Sequence, residues 1–263
     1  MKVVWSEAFR QVYTGDPAAA PGRLEPAVAA LEGRVEWVAP EPASREALLR
    51  CHTPAHLEWV EGAGVYEIAA LAAGAAIEAA RLGRREPAFA PVRPPGHHAS
   101  ADRAWGFCYF NNLAVAVTEL RQAGHAGQVL VVDFDLHFGD GTVNLLGGTP
   151  WATLVNPGAP TPREYLYQVG NALEEFEGDL IAVSAGFDNH REDWGGLLAT
   201  EDYRRIGRHV GTRARTLGAA CFGVLEGGYN PAALADSLRA FVQGLEQGWA
   251  GGAADPPTPA RAR

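Results

Sequence analysis

Short apolar runs alternate with longer alanine-rich or amphipathic stretches along most of the chain. The runs consist of β-branched or otherwise apolar residues and predict strands, at 2–5, 34–38, 87–92, 129–132, 152–156, 180–186 and 221–228. The stretches between them predict helices, most clearly at 65–83, 110–124, 162–177, 200–217 and 231–248. This alternation favours an α/β fold with a mainly parallel sheet that is covered by helices on both faces.

The domain count follows from length and composition. A chain of 263 residues with 47% hydrophobic residues is long enough for one large α/β domain or two small ones. No internal repeat or clear linker divides it, so we interpret 1–249 as a single domain. The segment 250–263 is rich in Pro, Ala and Gly and is expected to form a flexible tail.

Charge and cysteine content exclude several classes of protein. The formal net charge of −9 argues against a surface that binds nucleic acid, although it does not exclude a cationic substrate. Cys51, Cys108 and Cys221 are widely spaced and form no CxxC pair, which argues against a disulfide framework. No segment has the apolar core of a signal peptide or the length of a membrane span. A cytoplasmic location with no membrane partner is therefore expected, and the oligomeric state stays open.

Polar clusters follow four of the predicted strands. They are Gly-His-His at 96–98, Asp-Phe-Asp-Leu-His at 133–137, Phe-Asp-Asn-His at 187–190 and Gly-Gly-Tyr-Asn at 227–230. In open parallel sheets the ligand crevice lies at the carboxyl ends of the strands. The four clusters are therefore expected to meet at one edge of the sheet.

The cluster after the fourth strand has the spacing of a metal site. Asp133, Asp135 and His137 are two residues apart, so an extended backbone projects them from one face. The Asp135–His137 pair can chelate one divalent ion, and Asp188 is the best candidate for a third ligand. Two carboxylates, an imidazole and a water suit one catalytic Zn²⁺ per chain. An Asp-x-His pair alone more often consists of turn and cap residues, but the histidines on the same edge favour the metal interpretation.

Hydrolysis at such a site also needs a base for water and an acid for the leaving group. His97 and His98 are placed for this work, and Asp133 and Asp140 are the carboxylates available to orient their rings.

Tyr229 is the candidate for stabilising the transition state. It follows Gly227 and Gly228, which leave room for a phenol to reach over the site. Its hydroxyl would donate a hydrogen bond to the oxyanion that develops at the carbonyl.

Five motifs occur in the order and spacing of the histone deacetylase family, which also holds bacterial acetylpolyamine and acetoin-utilisation proteins. They are RPPGHHA (93–99), GFCYFNN (106–112), VDFDLHFGDGT (132–142), SAGFD (184–188) and LEGGYN (225–230). From about residue 1 to 248 the chain resembles this zinc amidohydrolase family, and LEGGYN is similar to its class II and bacterial branch. The resemblance implies an arginase-like α/β fold with a parallel sheet of about eight strands.

The resemblance also implies a role for each candidate residue. The zinc ligands would be Asp135, His137 and Asp188. His98, paired with Asp140, would be the general base and acid, and His97, paired with Asp133, its electrostatic partner. Tyr229 would polarise the carbonyl.

Further contacts are implied around the substrate. Gly106 and Phe107 would line an acyl-lysine tunnel with Cys108 near its floor, and Gly227 and Gly228 would lie beside the substrate. Relatives also hold a structural K⁺ through positions that match Asp133, Asp135 and His137, with more from around Thr153 and Leu154. Arg23 resembles an arginine beneath the site that helps to handle released acetate.

The chain departs from its relatives at the rim of the site. Phe138 stands where relatives usually have a second histidine, which alters only the packing beside His137. The loops after 60 and after 156 are short, so a more open mouth is expected. Polyamine-preferring relatives carry a glutamate where this chain aligns Gly195, although Glu58 or Glu61 could supply a carboxylate near the rim.

Two alternative functions fit the sequence less well. A ureohydrolase with two manganese ions needs Asp-x-His-x-Asp and a later Asp-x-Asp, whereas this chain has Gly139 and the single Asp188. A catalytically inactive protein that binds acyl or amine ligands would lack the base, a metal ligand or Tyr229, and all are present. The sequence therefore predicts a zinc-dependent deacetylase for acetyl-lysine, acetylpolyamines or another acetylated small amine.

Overall fold

The computed structural model of the chain describes residues 1–251 and contains a parallel sheet of seven strands. The strands are β1 (Lys2–Val4), β2 (Glu36–Val38), β3 (Ala88–Ala90), β4 (Val129–Asp133), β5 (Ala152–Val155), β6 (Leu180–Ala185) and β7 (Ala220–Leu225). Their order in the sheet is β2-β1-β3-β7-β6-β4-β5. Residues 252–263, most of the predicted tail, lie outside the described residues, so the domain boundary at 249 stays a prediction.

Each apolar run that predicts a strand overlaps one strand of the sheet, and the α/β fold class is confirmed. The eighth strand implied by the resemblance is not among the strands of residues 1–251. All five residues of β4 and all six of β6 are buried. Continuous burial is what central strands show when helices cover both faces, which explains their unbroken apolar sequences.

Nine helices surround the sheet in the described part of the chain. They are α1 (Glu25–Ala29), α2 (Arg45–Leu49), α3 (Pro54–Gly62), α4 (Tyr66–Leu82), α5 (Asn112–Gln122), α6 (Asp140–Leu146), α7 (Pro162–Glu175), α8 (Thr200–Leu217) and α9 (Pro231–Trp249). Helix α4 packs against α5 and contacts β1, β3 and β7, whereas α8 packs along α9 and contacts β6 and β7. Within residues 1–251 none of these helices combines the length and the apolar character that crossing a bilayer requires.

The four polar clusters follow β3, β4, β6 and β7. These strands are consecutive in the sheet order β3-β7-β6-β4, and they run parallel. Their carboxyl ends therefore deliver all four clusters to one stretch of the sheet edge, where open α/β sheets bind ligands.

Candidate active site

The three predicted metal ligands converge at the ends of β4 and β6. Asp135 and His137 follow β4, and Asp188 follows β6, which pairs directly with β4. The Nδ1 atom of His137 lies 3.2 Å from Oδ1 of Asp135 and 3.1 Å from Oδ2 of Asp188. Within residues 1–251 this is the only group of three His, Cys, Asp or Glu side chains close enough to share one ion.

The spacing of these atoms fits a small divalent cation. Neighbouring ligands of a tetrahedral Zn²⁺, with bonds of about 2.0–2.1 Å, lie about 3.3 Å apart. Oδ2 of Asp188 is buried and makes no hydrogen bond, although Nδ1 of His137 lies 3.1 Å away. A buried carboxylate oxygen without a donor is costly, and a cation between these side chains would satisfy it.

A proton on His137 supplies positive charge between the two carboxylates. Hydrogen bonding to Asp135, together with the nearby Asp188, raises the pKa of His137 to about 10. Burial, followed by the charge of Asp135, raises the pKa of Asp188 to about 6. Because an imidazole must lose its proton to bind a metal, a cation and a proton compete for this position.

The tandem histidines follow β3, and each contacts a different carboxylate. Nδ1 of His97 lies 3.1 Å from Oδ2 of Asp133, and Nδ1 of His98 lies 2.6 Å from Oδ1 of Asp140. These are the two pairs that the resemblance implies. When the Nδ1–H group donates to a carboxylate, Nε2 remains available for proton transfer.

The two imidazoles have opposite pKa shifts. Burial, and then the charge of His97, lowers the pKa of His98 to about 4. Burial also opposes the charged form of His97, but the carboxylates of Asp135 and Asp133 outweigh it and raise its pKa. Near neutral pH, His98 is therefore a neutral ring that can accept a proton, next to a cationic His97.

Tyr229 follows β7, and its ring is held from three sides. Trp194 stacks on it with ring centroids 3.9 Å apart at 19°. The ring of Phe107 meets it edge-on at 5.9 Å, and the guanidinium of Arg23 lies 5.2 Å from its centroid. Burial raises the pKa of the Tyr229 phenol, so the hydroxyl keeps its proton and can donate a hydrogen bond.

Gly227 allows the end of β7 to approach the metal carboxylates. Its N–H group donates to Oδ2 of Asp135 at 2.8 Å. A Cβ atom at this position would lie 2.5 Å from Oδ2 of Asp188 and 2.7 Å from Oδ2 of Asp135. The site therefore has no space for a side chain here.

A cavity of 330 Å³ opens over these groups. Its lining consists of Pro95, His97, His98, Trp105, Gly106, Phe107, His137, Trp194, Gly227 and Tyr229. Of the predicted substrate contacts, Cys108 and Gly228 are not in this lining, and Cys108 is only 2% exposed. Glu58 and Glu61 do not line it either, and Glu61 binds Arg45 at 2.6 Å. A larger cleft of 480 Å³ at the ends of α4 and α5 contains none of the candidate catalytic side chains.

Comparison with known proteins identifies the family. The family model of the histone deacetylase domain matches residues 18–155 and 162–245. The chain belongs to the histone deacetylase family.

Relatives and a solved structure agree with this assignment. A probable deacetylase from Methanothermobacter thermautotrophicus is 33% identical over an alignment that covers 80% of this chain and 79% of the relative. A histone deacetylase-like amidohydrolase from Pseudomonas aeruginosa is 38% identical over an alignment that covers 44% of this chain and 35% of that protein. The crystal structure of the HDA15 HD domain matches with a TM-score of 0.80 at 26% identity and covers 94% of this chain and 91% of that chain. Membership of the histone deacetylase family supports a hydrolase of the deacetylase type.

The sequence analysis missed Glu226, a buried acid of this histone deacetylase fold. Its Oε2 accepts hydrogen bonds from the N–H groups of Gly96 and His97, at 2.6 and 3.1 Å. Its Oε1 accepts a hydrogen bond from Ser184 at 3.2 Å. Burial raises the pKa of Glu226 to about 7. The available signal was a glutamate that directly follows the apolar run of β7.

Trp105 was also missed. It immediately precedes Gly106, is 55% exposed, and donates a hydrogen bond from Nε1 to Oδ2 of Asp140 at 2.9 Å. A single tryptophan in the polar segment 100–105 was its only signal in the sequence.

Proposed function

We propose that the chain is a zinc-dependent deacetylase that hydrolyses an N-acetyl amide. The proposal is carried by the convergence of Asp135, His137 and Asp188 in the same cavity as two carboxylate-paired histidines and a tyrosine. Family membership supports the reaction class, and the unpartnered oxygen of Asp188 supports a cation.

The three clustered side chains would hold one Zn²⁺ per chain. When bound, the ion supplies Lewis-acid polarisation of the amide carbonyl and lowers the pKa of water towards about 7. The structural K⁺ implied by the resemblance stays a prediction, as does a cytoplasmic location.

His98 would move the proton during hydrolysis. Its neutral ring accepts a proton from the attacking water at Nε2, while Asp140 holds the Nδ1–H group and fixes the orientation of the ring. The same nitrogen then donates the proton to the leaving amine. His97 stays cationic beside Asp133 and stabilises the negative charge that develops nearby.

Tyr229 would stabilise the carbonyl oxygen as it gains negative charge. The raised pKa keeps its hydroxyl protonated, and the stacked Trp194 limits rotation of the ring. A fixed donor of this kind contributes roughly 10²- to 10³-fold to kcat in acyl-transfer enzymes.

The cavity suits a linear acylated amine. Its walls are aromatic rings and glycines, and its charged groups lie at the catalytic end. The methylene stem of acetyl-lysine or of an acetylated diamine would pack between these rings. Acetyl-lysine peptides, acetylpolyamines and other small acetylated amines are therefore all candidate substrates.

One experiment tests the reaction and the metal together. Acetate release is measured from an acetyl-lysine peptide, from an acetylated diamine and from an acetylated polyamine, and metal content is measured on the same sample. We expect one zinc per chain, turnover of at least one substrate, loss of turnover after chelation and recovery on adding Zn²⁺. A zinc-loaded chain that binds these ligands without releasing acetate would instead be an inactive binding protein, and urea release from guanidino compounds would show a ureohydrolase.

A further inference from the structure

Trp105 has no role in the mechanism derived so far, although it contacts both members of the His98–Asp140 pair. We propose that Trp105 is a positioning residue that holds this pair in the geometry needed for proton transfer. The proposal rests on the proposed function, because it gives Trp105 a task only if His98 transfers the proton.

The first contact is a hydrogen bond to the carboxylate. Nε1 of Trp105 lies 2.9 Å from Oδ2 and 3.2 Å from Oδ1 of Asp140. Oδ1 is the oxygen that binds Nδ1 of His98 at 2.6 Å. The indole N–H group therefore fixes the carboxylate plane from one side while the imidazole binds it from the other.

The second contact is between the indole and imidazole rings, which are tilted against each other. The centroids of Trp105 and His98 are 3.9 Å apart, with their planes at 31°. Trp105 thus touches the imidazole through its face and the carboxylate through its edge. Each of the three side chains therefore contacts the other two, and rotation of Asp140 would break its hydrogen bond to the indole.

The backbone next to Trp105 is shaped to permit this arrangement. Gly106 has φ of 57°, and a Cβ there would lie 2.4 Å from Cδ2 of His98. Phe107 has φ of 66° and is the only non-glycine residue with positive φ within residues 1–251. Such a conformation is strained and persists where the surroundings enforce it. The turn 105–107 therefore wraps closely around the imidazole and brings the indole onto it.

The two histidine–carboxylate pairs differ in their need for such support. The side chain of Asp133 is 2% exposed, whereas that of Asp140 is 35% exposed. Burial within the fold already holds Asp133 in place beside His97. Asp140 lies at the surface, where water competes for its oxygens, and the indole of Trp105 covers it.

The test uses the full chain with zinc and two substitutions. Trp105→Phe keeps a ring on His98 but removes the donor, and Trp105→Leu removes both contacts. We expect Trp105→Phe to lower kcat roughly 10- to 100-fold, as the loss of a hydrogen bond to a charged group would give, with KM changed less than about twofold. Trp105→Leu should lower kcat further. In an Asp140→Asn background, Trp105→Phe should have no additional effect on kcat, because the indole acts through that carboxylate.

A second readout does not depend on turnover. In ¹⁵N-labelled full chain, the indole N–H resonance assigned to Trp105 should shift when Asp140 is changed to Asn, whereas that of Trp37 should not. Trp37 lies on β2, away from the cavity, so Trp37→Phe is the matched control and should leave kcat unchanged.

Several results would overturn the proposal. If the wild-type chain releases acetate but Trp105→Phe changes only KM, or neither constant, then Trp105 is a cavity wall and the proposed function still holds. An indole resonance that ignores Asp140→Asn would also exclude the contact. If the wild-type chain hydrolyses no acetyl amide, the proposed function fails and this role fails with it.

Discussion

The floor and the mouth of the cavity are built from opposite kinds of side chain. We use "floor" for the buried polar residues His97, Asp133, Asp135 and Asp188, none of them more than 5% exposed. We use "mouth" for the aromatic residues Trp105, Phe107 and Trp194, of which the two tryptophans are 55% and 53% exposed. Three floor residues lie at or just after the ends of β4 and β6, and His97 lies in the loop between β3 and α5. The mouth residues all belong to loops.

This difference in burial predicts how strongly a substitution affects function. Buried charges are stable only when every partner is in place, so small changes in the floor are expected to abolish function. Exposed rings make contacts that are individually worth about 0.5–1.5 kcal/mol. Changes in the mouth should therefore adjust rates and affinities without removing activity.

The largest effect is expected at Asp188. Asp188→Ala removes a proposed ligand and leaves His137 and Asp135 as an incomplete pair. Zinc content should fall to near zero and acetate release should be undetectable, as measured by elemental analysis and by substrate turnover. Asp236→Ala, which removes an exposed carboxylate bound to Arg239 at 2.8 Å, is the control. Full zinc content in the Asp188 variant would show that the third ligand is another side chain.

Tyr229 lies between the floor and the mouth and should give the next largest effect. Tyr229→Phe keeps the ring stacked on Trp194 but removes the hydroxyl donor. We expect kcat to fall roughly 10²- to 10³-fold, the usual loss for an oxyanion donor, with zinc content unchanged. Turnover close to that of wild type would remove the phenol from the mechanism.

His52 lies outside the site but is buried like the floor residues, and its burial has a consequence for stability. His52 is 3% exposed, and its Nδ1 donates to the carbonyl of Ser100 while Nε2 accepts from the N–H group of Asn111. Nε2 can accept this hydrogen bond only while the ring is neutral. Burial, followed by the charge of His56, lowers the pKa of His52 to about 4.

A pH-dependent loss of stability follows from this shift. His52 has a pKa near 6.5 in the unfolded chain and about 4 in the folded chain. Below pH 6.5 the unfolded chain therefore binds a proton that the folded chain does not, and the free energy of unfolding decreases as the pH falls from 6.5 to 4. The contribution is about 3 kcal/mol at most. Urea denaturation at pH 7 and pH 4.5 should show a smaller loss for His52→Gln than for wild type. His125 is exposed, and the His125→Gln control should behave as wild type. If His52→Gln loses as much stability between pH 7 and pH 4.5 as wild type does, the assignment to His52 is wrong.

The smallest effect is expected at the mouth. Trp194→Leu removes the ring that stacks on Tyr229 at 3.9 Å. Since such a contact is worth about 0.5–1.5 kcal/mol, kcat/KM should fall by a factor of about 2 to 13, with zinc content retained. Trp37→Leu should change neither. A loss as large as that of Tyr229→Phe would mean that the mouth is as critical as the floor.

The floor was predictable from the sequence for a geometric reason. Asp133 is the last residue of β4, and the parallel sheet puts Asp188 beside Asp135 and His137. The extended backbone expected for Asp135 and His137 is not found, because the chain bends at 135–137. The seven strands were predictable because their apolar runs are short and bounded by turn residues. The eighth strand came only from the resemblance and is not found within residues 1–251.

The mouth was less predictable because no periodicity governs a loop. The position of Trp105 depends on positive φ at Gly106 and Phe107, and nothing in the sequence requires that conformation at a phenylalanine. The contact of Trp194 with Tyr229 likewise joins two loops that are far apart in the sequence. Phe138, where the resemblance implies a histidine in relatives, is 59% exposed and does not line the cavity.

Glu226 has a consequence for how substrate reaches the cavity. Its carboxylate binds the backbone of Gly96 and His97, and its own carbonyl accepts a hydrogen bond from Arg23 at 2.6 Å. The segments after β3 and β7 are thereby fastened together into one rigid wall. Substrate therefore meets a wall in which Glu226 holds the N–H groups of Gly96 and His97, and hydrogen exchange at these two residues should be slow.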